Sequence, residues 1–446
     1  MNALLTVAVL SLMLPIRMET GLVLVRPFEF LIALGMLGWP LIAARRGVRV
    51  PVGLLLLLPY LTWHVASATV GGPRNTAREA LQVFVVTMFA FLLAQEAPRL
   101  DVKRFSRRLL LGIAAIALGT IVWHIAHGYW VGWKQLPDLR LSFVFLPVVL
   151  AGLILFAEPE RRRRLHFVWA GIFPVLLMSG ERKALVIYLI LSALLFAHGR
   201  FALILPALAS AFVGLLLLST VVENPYLQKQ IRTLVEPGGT GNYEYVLATG
   251  RYLPGDTPSD VQRAFALHIS GQMFEEHPLF GVGTNQYEAI VGETYPNAPE
   301  DLRIGIHGEF QRILTENGLV GFSLYVLIWA AAWARLGRVL RSALDRDRLT
   351  SARVRVLPLL LFIPLALFVG TEASGTRAFV GVIAISLLPE LVSGALARAR
   401  RPVLLRSDLV TRPCRGFISR GKHYERFGRD HVPRRGGDRG TGRAQR

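Results

Sequence analysis

The chain has 446 residues, of which 53% are hydrophobic and 18% charged, with a net charge of +20 and a single cysteine, Cys414. Soluble domains carry about 25% charged residues, so an ordinary soluble domain is excluded, and one cysteine excludes an intramolecular disulfide and a thiolate metal cluster. The basic excess fits loops held against anionic membrane lipid and does not point to nucleic acid, whose binders rarely spend half their length in apolar blocks.

Apolar blocks long enough to cross a hydrocarbon core as helices predict an all-α integral membrane protein with about 12 transmembrane helices. They fall near 2–16, 22–43, 51–70, 78–95, 106–126, 141–157, 165–180, 183–198, 201–222, 309–334, 355–371 and 376–396. The N-terminus has neither a basic leader nor a small-residue cleavage site, so 2–16 reads as a retained span. Placing the N-terminus in the cytoplasm and alternating puts twenty basic residues on internal loops, including Arg45, Arg46, Arg161 to Arg164 and the arginines from Arg335 to Arg355. Nine fall on the short external connections. This bias matches the positive-inside rule and leaves both termini cytoplasmic. The predicted organisation is spans 1–9 over residues 1–222, a large external loop over 223–308, spans 10–12 over 309–397, and a basic tail over 398–446. That tail carries fifteen basic residues and reads as a disordered extension able to rest on anionic lipid.

The loop 223–308 has eleven acidic against five basic residues, the reverse of the rest of the chain. Apolar residues at Val261, Phe265, Leu267, Ile269 and Met273 predict an amphipathic helix there, lying over the membrane. The following Gly281-Val282-Gly283 reads as a structural turn and not as a phosphate loop.

Three segments could carry chemistry. His307, Gln311 and Thr315 are spaced i, i+4, i+8 and share one helical face as the chain enters the tenth span. His307 there either takes a proton in a wet cleft or caps a helix at the interface. In Ser179-Gly180-Glu181-Arg182-Lys183, three charges stand between two apolar spans. They either form an ordinary turn or aim a forked donor at a phosphate. Arg263 is one of few cations in the acidic loop and, taken alone, reads as a solvated face residue. Asp345-Arg346-Asp347 has no nucleotide-binding domain around it, and His124 and His127 beside Trp130 and Trp133 read as an interfacial aromatic belt.

Taken in order and spacing, "SGERKAL", "R…EEHPLFGVGTNQY" and "HGEFQRILTENGLVGFSLY" resemble the bacterial O-antigen ligase and O-antigen polymerase superfamily over about residues 165–335. The resemblance implies a glycosyltransferase of the inner membrane with its site at the periplasmic face. It moves a glycan from undecaprenyl diphosphate to an acceptor hydroxyl, on lipid A–core in ligases and on another lipid-linked repeat in polymerases. It further implies His307, Arg263 and Arg182 as catalytic residues and Arg182, Arg263, Gln311 and Lys183 as substrate-binding residues. Neither a metal nor another cofactor is implied. A transporter of lipid-linked sugars is the alternative of a different class; it is expected to carry ionisable residues at mid-membrane in several spans.

Overall fold

The structure is a computed structural model. It describes residues 2–11, 18–19, 24–25, 27–46, 48, 50, 52–96, 102–128, 140–157, 159–179, 181–197, 242–253, 258–303, 305–306, 308–344, 384 and 386–393. The expected spans at 201–222 and 355–371, and the tail 398–446, lie outside these residues.

The regular secondary structure of the described residues is helical apart from a two-residue antiparallel ladder, β1 (Met18–Glu19) with β2 (Leu24–Val25). In chain order the first eight helices are α1 (Asn2–Ser11), α2 (Pro27–Arg46), α3 (Val52–Ser67), α4 (Gly72–Glu96), α5 (Val102–Ala126), α6 (Arg140–Phe156), α7 (Pro159–Ser179) and α8 (Arg182–Ala197). Then come α9 (Tyr243–Thr249), α10 (Pro258–Glu276), α11 (Tyr287–Thr294) and α12 (Glu309–Leu344). Among the described residues, three helical segments are long and apolar enough to cross a membrane: Val52–Glu96, Arg104–Ala126 and Glu309–Ala343. The helices at Ser142–Leu155 and Lys183–Phe196 are apolar but shorter.

Two sequence features suit these helices to lipid. Pro40, Pro59, Pro147 and Pro174 sit inside α2, α3, α6 and α7. Interior prolines are costly in water-exposed helices and tolerated in membrane helices, where neighbouring groups take up the freed carbonyls. Large apolar side chains also point outward, among them Leu37, Phe84, Leu118 and Phe167. In water these would form aggregating patches; in a bilayer they face acyl chains.

The main core runs through α1 to α8 and the first half of α12 and is filled by Phe28, Tyr60, Phe143, Trp169 and Tyr325. One turn expected from sequence is shorter in the structure. The connection predicted between 70 and 78 is a 3₁₀ turn, Ala68–Gly71, after which α4 begins at Gly72, so Arg74 and Arg78 are helical. At the opposite end of α3, the Glu390 carboxylate pairs with Arg335 and accepts from Gly53 N–H (3.3 Å), tying α3, α12 and the helical residues 386–393 together.

The segment between α8 and α12 has its own core. Val261, Phe265, Ile269 and Met273 of α10 are buried with Val246 of α9, Tyr287 and Val291 of α11, and Leu302 and Ile306. The amphipathic helix is therefore present, with one exception: Leu267 is 66% exposed because it projects from the opposite face. Burial pushes the Tyr287 phenol well up from its ordinary range, so it packs as a neutral ring. With one cysteine in the chain, this apolar core does the work that a disulfide does in many small external domains.

The feature that joins loop to bundle is a break in α12. Gly318 has φ 63° and ψ −168°, which divides α12 into residues 309–317 and 319–344. A break leaves carbonyls and N–H groups without helical partners, and here the loop after α10 supplies them. Val282 N–H donates to Thr315 O (3.0 Å) and Gly283 N–H to Glu316 O (2.9 Å), while Leu319 N–H donates to Pro278 O (2.9 Å) and Val320 N–H to Leu279 O (3.1 Å). Trp63 Nε1 donates to Asn317 O (3.1 Å). The backbones approach too closely for side chains. A Cβ at Gly318 would lie 2.3 Å from Leu279 O, and one at Gly281 (φ 73°) would lie 2.4 Å from the Glu316 carbonyl carbon.

Gly318→Ala is therefore expected to destabilise the protein by about 3 kcal/mol or more, through left-handed strain and a backbone clash. Gly292→Ala, in α11 with open space around it, is expected to be neutral or slightly stabilising. Thermal unfolding of the two detergent-purified variants checks the contrast.

Candidate functional site

The loop 277–286 does more than satisfy the break. Thr284 N–H donates to Ser67 Oγ (3.2 Å), and Ser67 Oγ–H donates to Glu316 O (3.3 Å). Thr284 Oγ1 lies 2.9 Å from His64 O and 3.1 Å from Asn317 Oδ1. Asn75 Nδ2 donates to Thr284 O (2.9 Å) and to Ala68 O (3.1 Å), and Asn285, in the left-handed region, donates through Nδ2 to Asn75 Oδ1 (3.3 Å). The loop thus plugs the corner where α3 turns into α4 and fixes it to the break in α12.

Directly beneath lies a buried ionic cluster. Arg312 forks onto Glu309, with Nε to Oε2 at 2.9 Å and NH2 to Oε1 at 2.7 Å, and its NH1 donates to Glu316 Oε2 at 3.0 Å. Both carboxylates are nearly inaccessible, at 1% and 3% exposure. On the facing helices, His64 Nε2 lies 3.1 Å from Glu79 Oε2, and Arg78 reaches Glu79 Oε1 at 3.2 Å. Tyr60 and Tyr325 close the apolar side, their rings 5.3 Å apart. The Tyr60 hydroxyl and the Asn317 Nδ2 are buried without a hydrogen-bond partner among the described residues.

The described residues expected from sequence to carry chemistry come from α8, α10 and α12. Arg263 is exposed on α10. Gln311 is in the first half of α12, and its amide donates to Ala266 O (3.2 Å) and Ser270 Oγ (2.5 Å) of α10. These bonds bring together the helix that carries Arg263 and the helix that follows His307. His307 itself lies outside the described residues. Thr315 Oγ1 donates to Gln311 O (2.9 Å), so the polar face predicted along α12 is internally bonded.

Arg182 and Lys183 form the first turn of α8, where the positive end of the helix dipole adds to their charge. The Arg182 side chain lies outside the described residues; Lys183 is half-buried. Before them, Glu181 is buried and its N–H donates to Ser179 Oγ (3.2 Å). α8 packs against α6 and α7, whereas α10 packs against α9 and α12, so the two arginines come from separate parts of the fold.

Sequence reasoning passed over Glu309, Arg312 and Glu316, and over His64 and Glu79. A signal was available: charges at i, i+3 and i+7 at the start of an apolar span, and a histidine in the interior of another, are costly and need partners. His124 and His127 bond to the carbonyls of Thr120 (2.8 Å) and Trp123 (2.7 Å) in their own helix. No group of metal-binding side chains is present among the described residues.

Truncating Arg312 to Ala would strand two buried carboxylates, at an expected cost of about 3–5 kcal/mol. The change should appear as a large fall in thermal midpoint; a shift within error of wild type would show that the carboxylates find other compensation.

Residues 166–326 match the family model described as O-Antigen ligase. The match spans α7 from His166, all of α8, residues 198–308 and the first part of α12, so Arg182, Lys183, Arg263, His307, Gln311 and the ionic cluster on α12 fall within it. No curated protein matches the chain. Proteins of this family are glycosyltransferase-like enzymes that act on lipid-linked glycans. The match supports, over residues 166–326, the resemblance to the O-antigen ligase superfamily.

Proposed function

We propose that the chain is an inner-membrane glycosyltransferase of the ligase type, with about 12 spans, both termini cytoplasmic and its site at the periplasmic face. Its donor is an undecaprenyl diphosphate-linked glycan, and its acceptor is a hydroxyl of lipid A–core. The observation that carries this reading is the pair of bonds from Gln311 to Ala266 and Ser270. They hold α10, which bears Arg263, against the helix that begins directly after the His307-Gly308 pair.

The chemistry follows from charge. The acceptor hydroxyl attacks the anomeric carbon, the carbon–oxygen bond to the diphosphate breaks, and the diphosphate leaves with the electron pair. His307 takes the proton of the attacking hydroxyl. Attack opposite the leaving group inverts the anomeric carbon. Arg182 and Arg263 meet the charge that builds on the leaving diphosphate, because a guanidinium fork matches phosphate oxygens and stays protonated. Lys183 adds a point charge in the same turn of α8. Gln311 holds the acceptor side of the cleft, its amide braced on α10. No metal is assigned a role.

Deletion of the gene is expected to leave lipid-linked glycan accumulating and lipid A–core unmodified. Arg263→Ala and His307→Ala should reproduce that phenotype with the protein still present in the membrane. Normal surface polysaccharide in either strain would contradict the site. Surface lipid carrying single repeats, with no long chains, would instead identify a polymerase, whose acceptor is another lipid-linked repeat. Movement of the lipid-linked donor across reconstituted vesicles without covalent transfer would identify a transporter.

A further inference from the structure

We propose that the Glu309–Arg312–Glu316 cluster is a positioning element for glycosyl transfer, bracing the first turns of α12 ahead of the break at Gly318. The proposal rests on the reading above in one respect: the residue mounted just ahead of this helix is taken to be the proton acceptor, His307.

Stability alone gives a weak reason for these charges. Three ionised side chains buried among packed helices lose their hydration, and apolar residues of similar volume often hold such a site as well or better. What the charges add is direction. Arg312 spends all three guanidinium nitrogens, two on Glu309 in the first turn and one on Glu316 in the turn before the break. It therefore braces both ends of the short segment 309–317. A bidentate fork fixes the relative geometry of the turns it joins more tightly than apolar contacts do.

The braced segment is tied on every side. Arg312 N–H donates to Gly308 O (2.8 Å), so the first hydrogen bond of α12 starts one residue after His307. Glu316 receives Asn285 N–H from the plugging loop on its carboxylate, and Gly283 N–H and Ser67 Oγ–H on its carbonyl. His64 and Glu79, on α3 and α4, stand within electrostatic reach of Glu309, Glu316 and Arg312, with Tyr60 among them. Displacing a reacting group by about 1 Å can cost 100-fold in rate, so a mount of this kind acts on the chemical step and leaves substrate affinity largely unchanged.

The test uses full-length protein in nanodiscs, a lipid-linked glycan donor and a soluble core acceptor. The neutral triple variant Glu309→Gln/Arg312→Met/Glu316→Gln removes the forks without stranding a charge. It is expected to fold, to keep the donor KM within about twofold, and to lose at least about 10-fold in kcat, equivalent to about 1.4 kcal/mol in the barrier. Arg312→Lys keeps the charge and loses the fork; it should recover only part of that rate. A triple variant with wild-type kcat would overturn the proposal, as would a variant that changes KM alone. Should the triple variant not fold, Arg312→Lys decides: reduced kcat with unchanged KM and melting temperature supports the mount, and unchanged kcat overturns it. His307→Ala separates the two levels. Full activity in that variant removes the proposed function itself. Loss there, together with wild-type kcat in Arg312→Lys, removes only the positioning role.

Discussion

A helix that breaks inside a packed bundle must find hydrogen-bond partners for the groups the break sets free. At Gly318 those partners come from residues 278–283, whose backbone pairs on both sides of the break. The rest of the architecture follows from that pairing. It allows α12 to change course without unsatisfied carbonyls. It anchors the connection between α10 and α11, which pack around their own apolar core. It also explains why Gly281 and Gly318 occur where they do, since a Cβ on Gly318 would meet the backbone of Leu279 and Gly281, and one on Gly281 that of Glu316 and Asn317.

The same pairing sets the surroundings of the ionic cluster. Loop residues Thr284 and Asn285 cover the polar corner of α3 and α4, while Tyr60, Phe310 and Tyr325 cover its apolar flank. Charges placed there are costly to uncover and tightly held when paired. Arg263 stands on the exposed face of α10, which Gln311 bonds to the first part of α12.

Much of the helical layout was legible in the sequence, because apolar length and the 3.6-residue period report burial directly. Val261, Phe265, Ile269 and Met273 mark the buried face of α10, and Gly281 and Gly283 mark a turn. Leu267 misled because hydrophobicity alone does not say which face is covered. Gly72-Pro73-Arg74-Asn75 reads as a loop, yet Gly72 and Pro73 begin α4, as proline is favoured in a first helical turn. The break at Gly318 left no trace in the periodicity, since Leu319, Val320 and Phe322 continue an apolar pattern through it; its partners lie more than thirty residues earlier in the chain. For the site, His307, Gln311 and Thr315 drew attention by sharing a face. Glu309, Arg312 and Glu316 form a second face of the same helix, and its meaning depends on contacts from α3 and α4 that no local pattern records.

The central claim is that glycosyl transfer takes place where α10 meets the start of α12 and needs Arg263 and His307. The most direct measurement is transfer by the purified protein from an undecaprenyl diphosphate glycan to purified lipid A–core in the presence of EDTA. Wild type, Arg263→Ala and His307→Ala are compared at equal folded protein. The account predicts covalent product from the wild type with EDTA present, and at least about 100-fold less from each variant. Product formation by either variant at the wild-type rate would contradict it.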